Sequence, residues 1–312
     1  MTAHLGLLHQ VGSRSLSWLC QHLEFFRLPT DVVGSADHHT TLKPLGELAR
    51  IALSVRRASP PGSPSFDFAS GLLHFAWREC REGQVLFDVL RAHPMVTHPL
   101  EIYAVFAQDG LRHTGFEALA RTLSATRAWA ALELEPTRVL AVHEAQRVLG
   151  IAPRPDVVES AVHRTWLGGR PEPWAFEVRI GYALTHYVFH VTGWGEAPGR
   201  LPGDVSDYLD RWLPAWLDCC LEEEQWDLAG ELLAVAASLP QAPALEEAWQ
   251  ALTLAQEPSG AVPEVGDASA MAGDYFRFRY HSTLVAAFAV SLTAARLATH
   301  TTAVPANSGS IV

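Results

Sequence analysis

Apolar residues recur at three-and-four spacing along nearly the whole of this chain, and no stretch alternates β-branched with polar residues for long enough to require a sheet. The pattern predicts an all-α fold. Leu5, Leu8, Val11, Leu16, Leu19 and Phe26 mark a first helical region, and Leu42, Leu45, Leu48, Ala49 and Ala52 mark a second. Ser59 to Ser65 (SPPGSPS) cannot continue a helix, because each proline lacks an amide donor and restricts its predecessor; a surface loop is expected there, with helix resuming near Phe68. Further helices are predicted over Ala69 to Ala92, Pro99 to Gln108, Phe116 to Leu123, Pro136 to Leu149, Val157 to Leu167, Ala175 to Val191, Val205 to Glu223, Trp226 to Ser238 and Ala244 to Gln256. Gly193-Trp194-Gly195 reads as a helix stop, and Tyr275 to Tyr280 (YFRFRY), alternating aromatic with Arg, reads as a short extended segment.

At 312 residues the chain exceeds the usual single-core domain, so two small domains compete with one large helical assembly. A formal net charge of -11, with Lys43 the only lysine and no basic stripe, argues against a nucleic-acid partner. The apolar run Leu284 to Leu297 is shorter than a bilayer-spanning helix and ends on Arg296, which predicts a buried core helix and no membrane partner. Cys20, Cys80, Cys219 and Cys220 form neither a disulfide framework nor a CxxC pair. The N-terminus lacks a secretory pattern, so the expected location is cytoplasmic.

Two short segments match. Asp37-His38-His39-Thr40-Thr41-Leu42 and Arg279-Tyr280-His281-Ser282-Thr283-Leu284 both place a His before Ser or Thr residues and a Leu, ahead of an apolar helical run. The late copy follows Leu254-Ala255-Gln256-Glu257-Pro258-Ser259-Gly260 and Val262-Pro263-Glu264. Together these resemble the Gln-containing helix end, Gly turn and Tyr-His-Thr helix start of α/α-toroid proteins, the group of protein prenyltransferase β subunits and terpenoid cyclases. The resemblance implies a barrel of antiparallel helix pairs with a central cavity and a zinc-ligand His at His281; from the chain itself one domain over residues 1–302 is expected, with a frayed tail at 303–312. The chain carries no DxDD acid motif, no repeated QW element and no Gly-rich Asp-x-Cys segment.

Chemistry gathers around Thr185 to His190, where His186 and His190, four residues apart, share one helical face and could reach one metal ion. The zincin pattern would need Glu after the first His, and Tyr187 stands there. His281 or His39 supplies the third ligand in this reading, and Asp37 acts as an orienting group or base. Trp174, Tyr182, Tyr187, Phe189 and Trp194 could wall an apolar substrate cavity, or fill core volume as aromatics in helices commonly do. The expectation is a zinc- or iron-dependent enzyme of specialised metabolism, acting on a mid-sized organic molecule or peptide. Two alternatives stay open. In a non-catalytic scaffold for a peptide or protein, His186 and His190 would be ordinary helix histidines; a metal-free cyclase or lyase would rely on a buried carboxylate.

Overall fold

Helix boundaries fall where caps and prolines place them. The Asp37 carboxylate accepts from the Thr40 amide at 3.0 Å and opens one helix. Ser63 does the same for Phe66 at 3.3 Å, with Pro64 in the first helical position. The computed structural model describes residues 2–35, 37–152, 154–243, 245–266 and 275–303, and these contain fifteen α-helices and no strand. In chain order they are α1 (Thr2–Gln21), α2 (His38–Ala58), α3 (Pro64–Glu79), α4 (Gln84–Ala92), α5 (His98–Gln108), α6 (Thr114–Ser124), α7 (Arg127–Ala130), α8 (Pro136–Val148), α9 (Pro155–Arg164), α10 (Trp166–Gly169), α11 (Val178–Thr192), α12 (Gly203–Glu222), α13 (Trp226–Ala237), α14 (Glu246–Ala255) and α15 (Tyr280–Ala303). The all-α expectation is met.

Six helices follow one another as neighbours. α2 packs on α5, α5 on α8, α8 on α11, α11 on α13, α13 on α15, and α15 on α2, so the succession returns to its first helix. Others lie against these: α1 and α3 on each other and on α15 and α2 respectively, α4 on α5, α9 on α8, α10 on α11, and α12 and α14 on α13. Every residue of α13 from Asp227 to Ala237 is buried, the mark of a helix covered on all sides. Gly230 lets α15 come close, since a Cβ there would lie 2.9 Å from Val285 Cγ1.

Several boundaries differ from expectation; the helix expected over Val157 to Leu167, for one, is interrupted at Thr165 between α9 and α10. The helix expected over Ala69 to Ala92 breaks into α3 and α4, because Arg81, Glu82 and Gly83 all take positive φ and the Val85 amide turns back to the Cys80 carbonyl. Apolar spacing continues across this turn, which hid it. Helix also resumes earlier than Phe68, at Pro64. Tyr275 to Tyr280 is a turn and not an extended segment: the Tyr280 amide donates to the Phe276 carbonyl at 2.9 Å, and Arg279 bends inward to Glu257 at 2.6 Å. α15 is long and apolar enough to cross a membrane by length and composition, a stretch of Tyr280–Thr299 rather than the shorter run read from sequence; 56% of that window is buried in the fold, where α1, α2 and α13 cover it. Of the expected C-terminal tail, residues 304–312 lie outside the described residues.

Gln256, in the segment that carried the family resemblance, ties the end of α14 to α1. Its amide nitrogen lies 3.1 Å from the Val11 carbonyl, 3.0 Å from Ser15 Oγ and 3.0 Å from the Gly260 carbonyl. All are buried, so truncation leaves acceptors without donors. Gln256→Ala is expected to lower unfolding stability by about 2 kcal/mol, read from denaturant midpoints; a loss under about 0.5 kcal/mol, the range of neutral surface changes, would show that this tie is dispensable.

Candidate functional site

Asp227 and Glu231 stand four residues apart in α13, so both project from one face of a helix that is otherwise apolar. That face meets the first turn of α15, which delivers His281. One ligand atom from each of Asp227, Glu231 and His281 lies within 4.8 Å of the other two, and among the described residues this is the one such group of three or more His, Cys, Asp or Glu side chains. His281 Nδ1 is 2.7 Å from Asp227 Oδ1, while Nε2 lies 3.6 Å from Glu47 Oε1 and 3.7 Å from Glu231 Oε1. Outer partners fix the carboxylates. Tyr182 donates to Asp227 Oδ2 at 2.6 Å, Thr185 donates to Glu231, and Tyr280 donates to Glu47 at 3.1 Å.

Burial and mutual charge compete here. Burial works against a charged His281, but the carboxylates of Asp227 and Glu47 outweigh it and hold the imidazolium up to about 10. Burial likewise raises Asp227, yet His281 beside it brings its carboxyl below the usual range. Glu231 goes the other way: burial, reinforced by Asp227 and Glu47, exceeds the pull of His281 and raises its carboxyl. Three carboxylates thus surround one imidazole, with Lys43 pairing Glu47 at 3.7 Å. Two cations, the His281 imidazolium and Lys43, meet these carboxylates.

Beside this cluster opens a cavity of about 220 Å³. Its wall includes His39, Glu47 and Arg50 from α2, His98 and Glu101 from α5, Arg138 and Glu144 from α8, His186 and His190 from α11, and Trp194. Glu47 belongs to both the cavity wall and the cluster. Several of these groups sit in the first turns of their helices, and contacts join neighbouring helices at that end: the His39 and His98 rings are 4.4 Å apart, and Arg138 pairs with Glu101 at 2.7 Å. His186 faces the open cavity space although protein surrounds it. Burial, then the nearby charge of His281, lowers its pKa to about 4. Burial lowers His190 and His98 to about 3 each.

A family model described as "Domain of unknown function (DUF6895)" matches residues 12–291, from within α1 to within α15. The chain belongs to that family. No curated protein and no solved structure matches it. The matched span of this DUF6895 member contains the whole cluster and every cavity residue named above.

The four histidines singled out in the sequence take different places. His281 is in the compact cluster. His186 and His190 line the cavity with ring centres 6.2 Å apart, and His39 lines it while stacking near His98. These four do not form a group within 4.8 Å of one another. Asp37 is fully exposed and spends its carboxylate on the Thr40 amide and hydroxyl, so it works as the α2 cap. Sequence reasoning passed over Asp227, Glu231 and Glu47. The available signal was two acids four apart in the apolar run Trp226 to Ala237, since carboxylates are rarely fully buried without a partner.

Proposed function

We propose that this protein is an enzyme with an α/α-toroid fold that holds a zinc or ferrous ion between Asp227, Glu231 and His281 and acts on a small organic molecule in the adjoining cavity. The toroid is supported by the neighbour succession from α2 through α15 and back to α2. One observation carries the metal reading: two carboxylates of α13 and an imidazole of α15 crowd together in an otherwise apolar interior. Without metal the His281 imidazolium joins these carboxylates; a bound ion would replace its proton, so binding is expected to release a proton and to tighten as pH rises. Carboxylate and imidazole donors together suit zinc or iron.

A bound ion supplies Lewis acidity toward a carbonyl or water. The chain's own residues do the rest. Asp227, 2.7 Å from His281 Nδ1, fixes the ring so that Nε2 points toward Glu231 and Glu47. Tyr182 and Thr185 hold the carboxylates in place by donating to them. His186, neutral at pH 7, faces the cavity, where it can accept a hydrogen bond from a bound molecule.

The test is calorimetric titration of untagged, metal-stripped protein with Zn²⁺, and with Fe²⁺ under anaerobic conditions. One ion per chain is expected. His281→Ala and Asp227→Asn should each weaken binding by about 10–100-fold, the range seen for ligands and their orienting partners, while His186→Ala stays near wild type. Absence of a stoichiometric site, or binding unchanged in His281→Ala, would refute the metal reading.

A further inference from the structure

Arg50 lies midway along α2 in the cavity wall, one turn beyond Glu47, and plays no part in the cluster. Only 9% of it is exposed, Nε and Nη2 have no hydrogen-bond partner, and no ion pair among the described residues includes it. The acids whose charge it feels are Glu196 and Glu144, and both are engaged elsewhere: Arg57 pairs with Glu196, and Arg147 with Glu144 at 2.6 Å. Trp194 lies under the guanidinium, 5.3 Å from its carbon to the ring centre, which orients the group without neutralising it. A buried charge calls for a counter-charge. The described chain supplies none in contact.

We propose that Arg50 anchors the carboxylate of a small organic acid in the cavity, with the acid's apolar body against the aliphatic lining of Val105, Ala141, Ala145 and Val148. A planar guanidinium matches a carboxylate edge, and Trp194 presents it in a fixed plane. The charge balance selects a single negative charge. Glu47, Glu101 and Glu144 also line the cavity, but each is paired, with Lys43, Arg138 and Arg147 respectively, which leaves the one uncompensated charge of Arg50 to be matched. The volume of about 220 Å³ limits the ligand to a small molecule. Arg50 and Glu47, three residues apart, are separated by about 4.5 Å along the helix axis. An acid held at Arg50 therefore extends toward the wall shared with the cluster. The anchor needs no metal ion and stands whether or not the cluster binds one.

Butyrate, hexanoate and benzoate, each beside its neutral amide, and inorganic phosphate are titrated into the metal-stripped full chain and followed by ligand-observed NMR. At least one acid is expected to bind, and its amide at least tenfold more weakly. Arg50→Gln should weaken the acid at least tenfold, and Arg50→Lys, which keeps the charge but loses the planar fork, by an intermediate factor. Equal binding of acid and amide, phosphate binding more tightly than every acid, no acid binding at all, or full acid affinity in folded Arg50→Gln would each overturn the assignment. The acid-to-amide comparison uses the unaltered chain, so it decides the matter even if an Arg50 variant fails to fold.

Discussion

Glu231→Gln is expected to raise the melting temperature of the metal-free protein and to abolish any further rise on adding zinc. Glu231 is almost wholly buried, burial disfavours its charge most and Asp227 and Glu47 add to that, while Thr185 and His281 compensate in part. Glutamine keeps the shape and can still accept from Thr185, so what is removed is the charge alone. Relief of a poorly compensated buried carboxylate is worth about 1–2 kcal/mol. At about 2–4 °C per kcal/mol for a chain near this size, that is a rise of a few degrees. Zinc at a hundredfold excess over its dissociation constant should add about 2.7 kcal/mol to the wild type and little to the variant. Thermal unfolding of both proteins with and without Zn²⁺ reads all four states. A structural role for Glu231 demands the opposite sign, a less stable metal-free variant, and that result would remove the cluster's claim to function.

The same residue shows what the sequence could and could not reveal. Helix type and most helix ends were legible, because apolar spacing, Pro at first turns and Gly at stops are local signals; Gly193 does end α11 in a left-handed conformation. The matching His-containing starts at His38 and Tyr280 were legible too, and both begin helices that pack on each other. The chemistry was not. Asp227 meets His281 across 54 residues and Glu47 meets Tyr280 across 233, so no spacing rule joins them. HxxxH drew attention to α11, yet that face serves the cavity wall, with Thr185 rather than His186 touching the carboxylates. The expected role of Asp37 is an orienting group or base. Its position one residue before α2 makes it a cap instead.

Acid is expected to unfold this protein at pH values that most helical proteins tolerate, because His98 and His190 are folded in neutral form. Their ordinary pKa is 6.5, and burial lowers both to about 3. The surrounding charges add to this: Arg138, His39 and His38 act against protonation of His98 with only Asp37 opposing, and His186, Arg138 and Arg50 act against protonation of His190. Both ring nitrogens of His98 lack hydrogen-bond partners, so no acceptor waits for an added proton. The unfolded chain takes up protons below pH 6.5 while the native state does not, so stability is whole above that value and declines as pH falls toward 3. Each such histidine contributes at most about 1.4 kcal/mol per pH unit in that window, and less where cavity water reaches the ring. Denaturant midpoints of the wild type, His98→Asn and His190→Asn between pH 7 and 4.5 separate this from general acid denaturation. Whatever each substitution does to the absolute stability, it must flatten the slope with pH. Slopes that stay parallel to wild type in both variants would assign the acid sensitivity to other groups and leave the cavity histidines without a part in it.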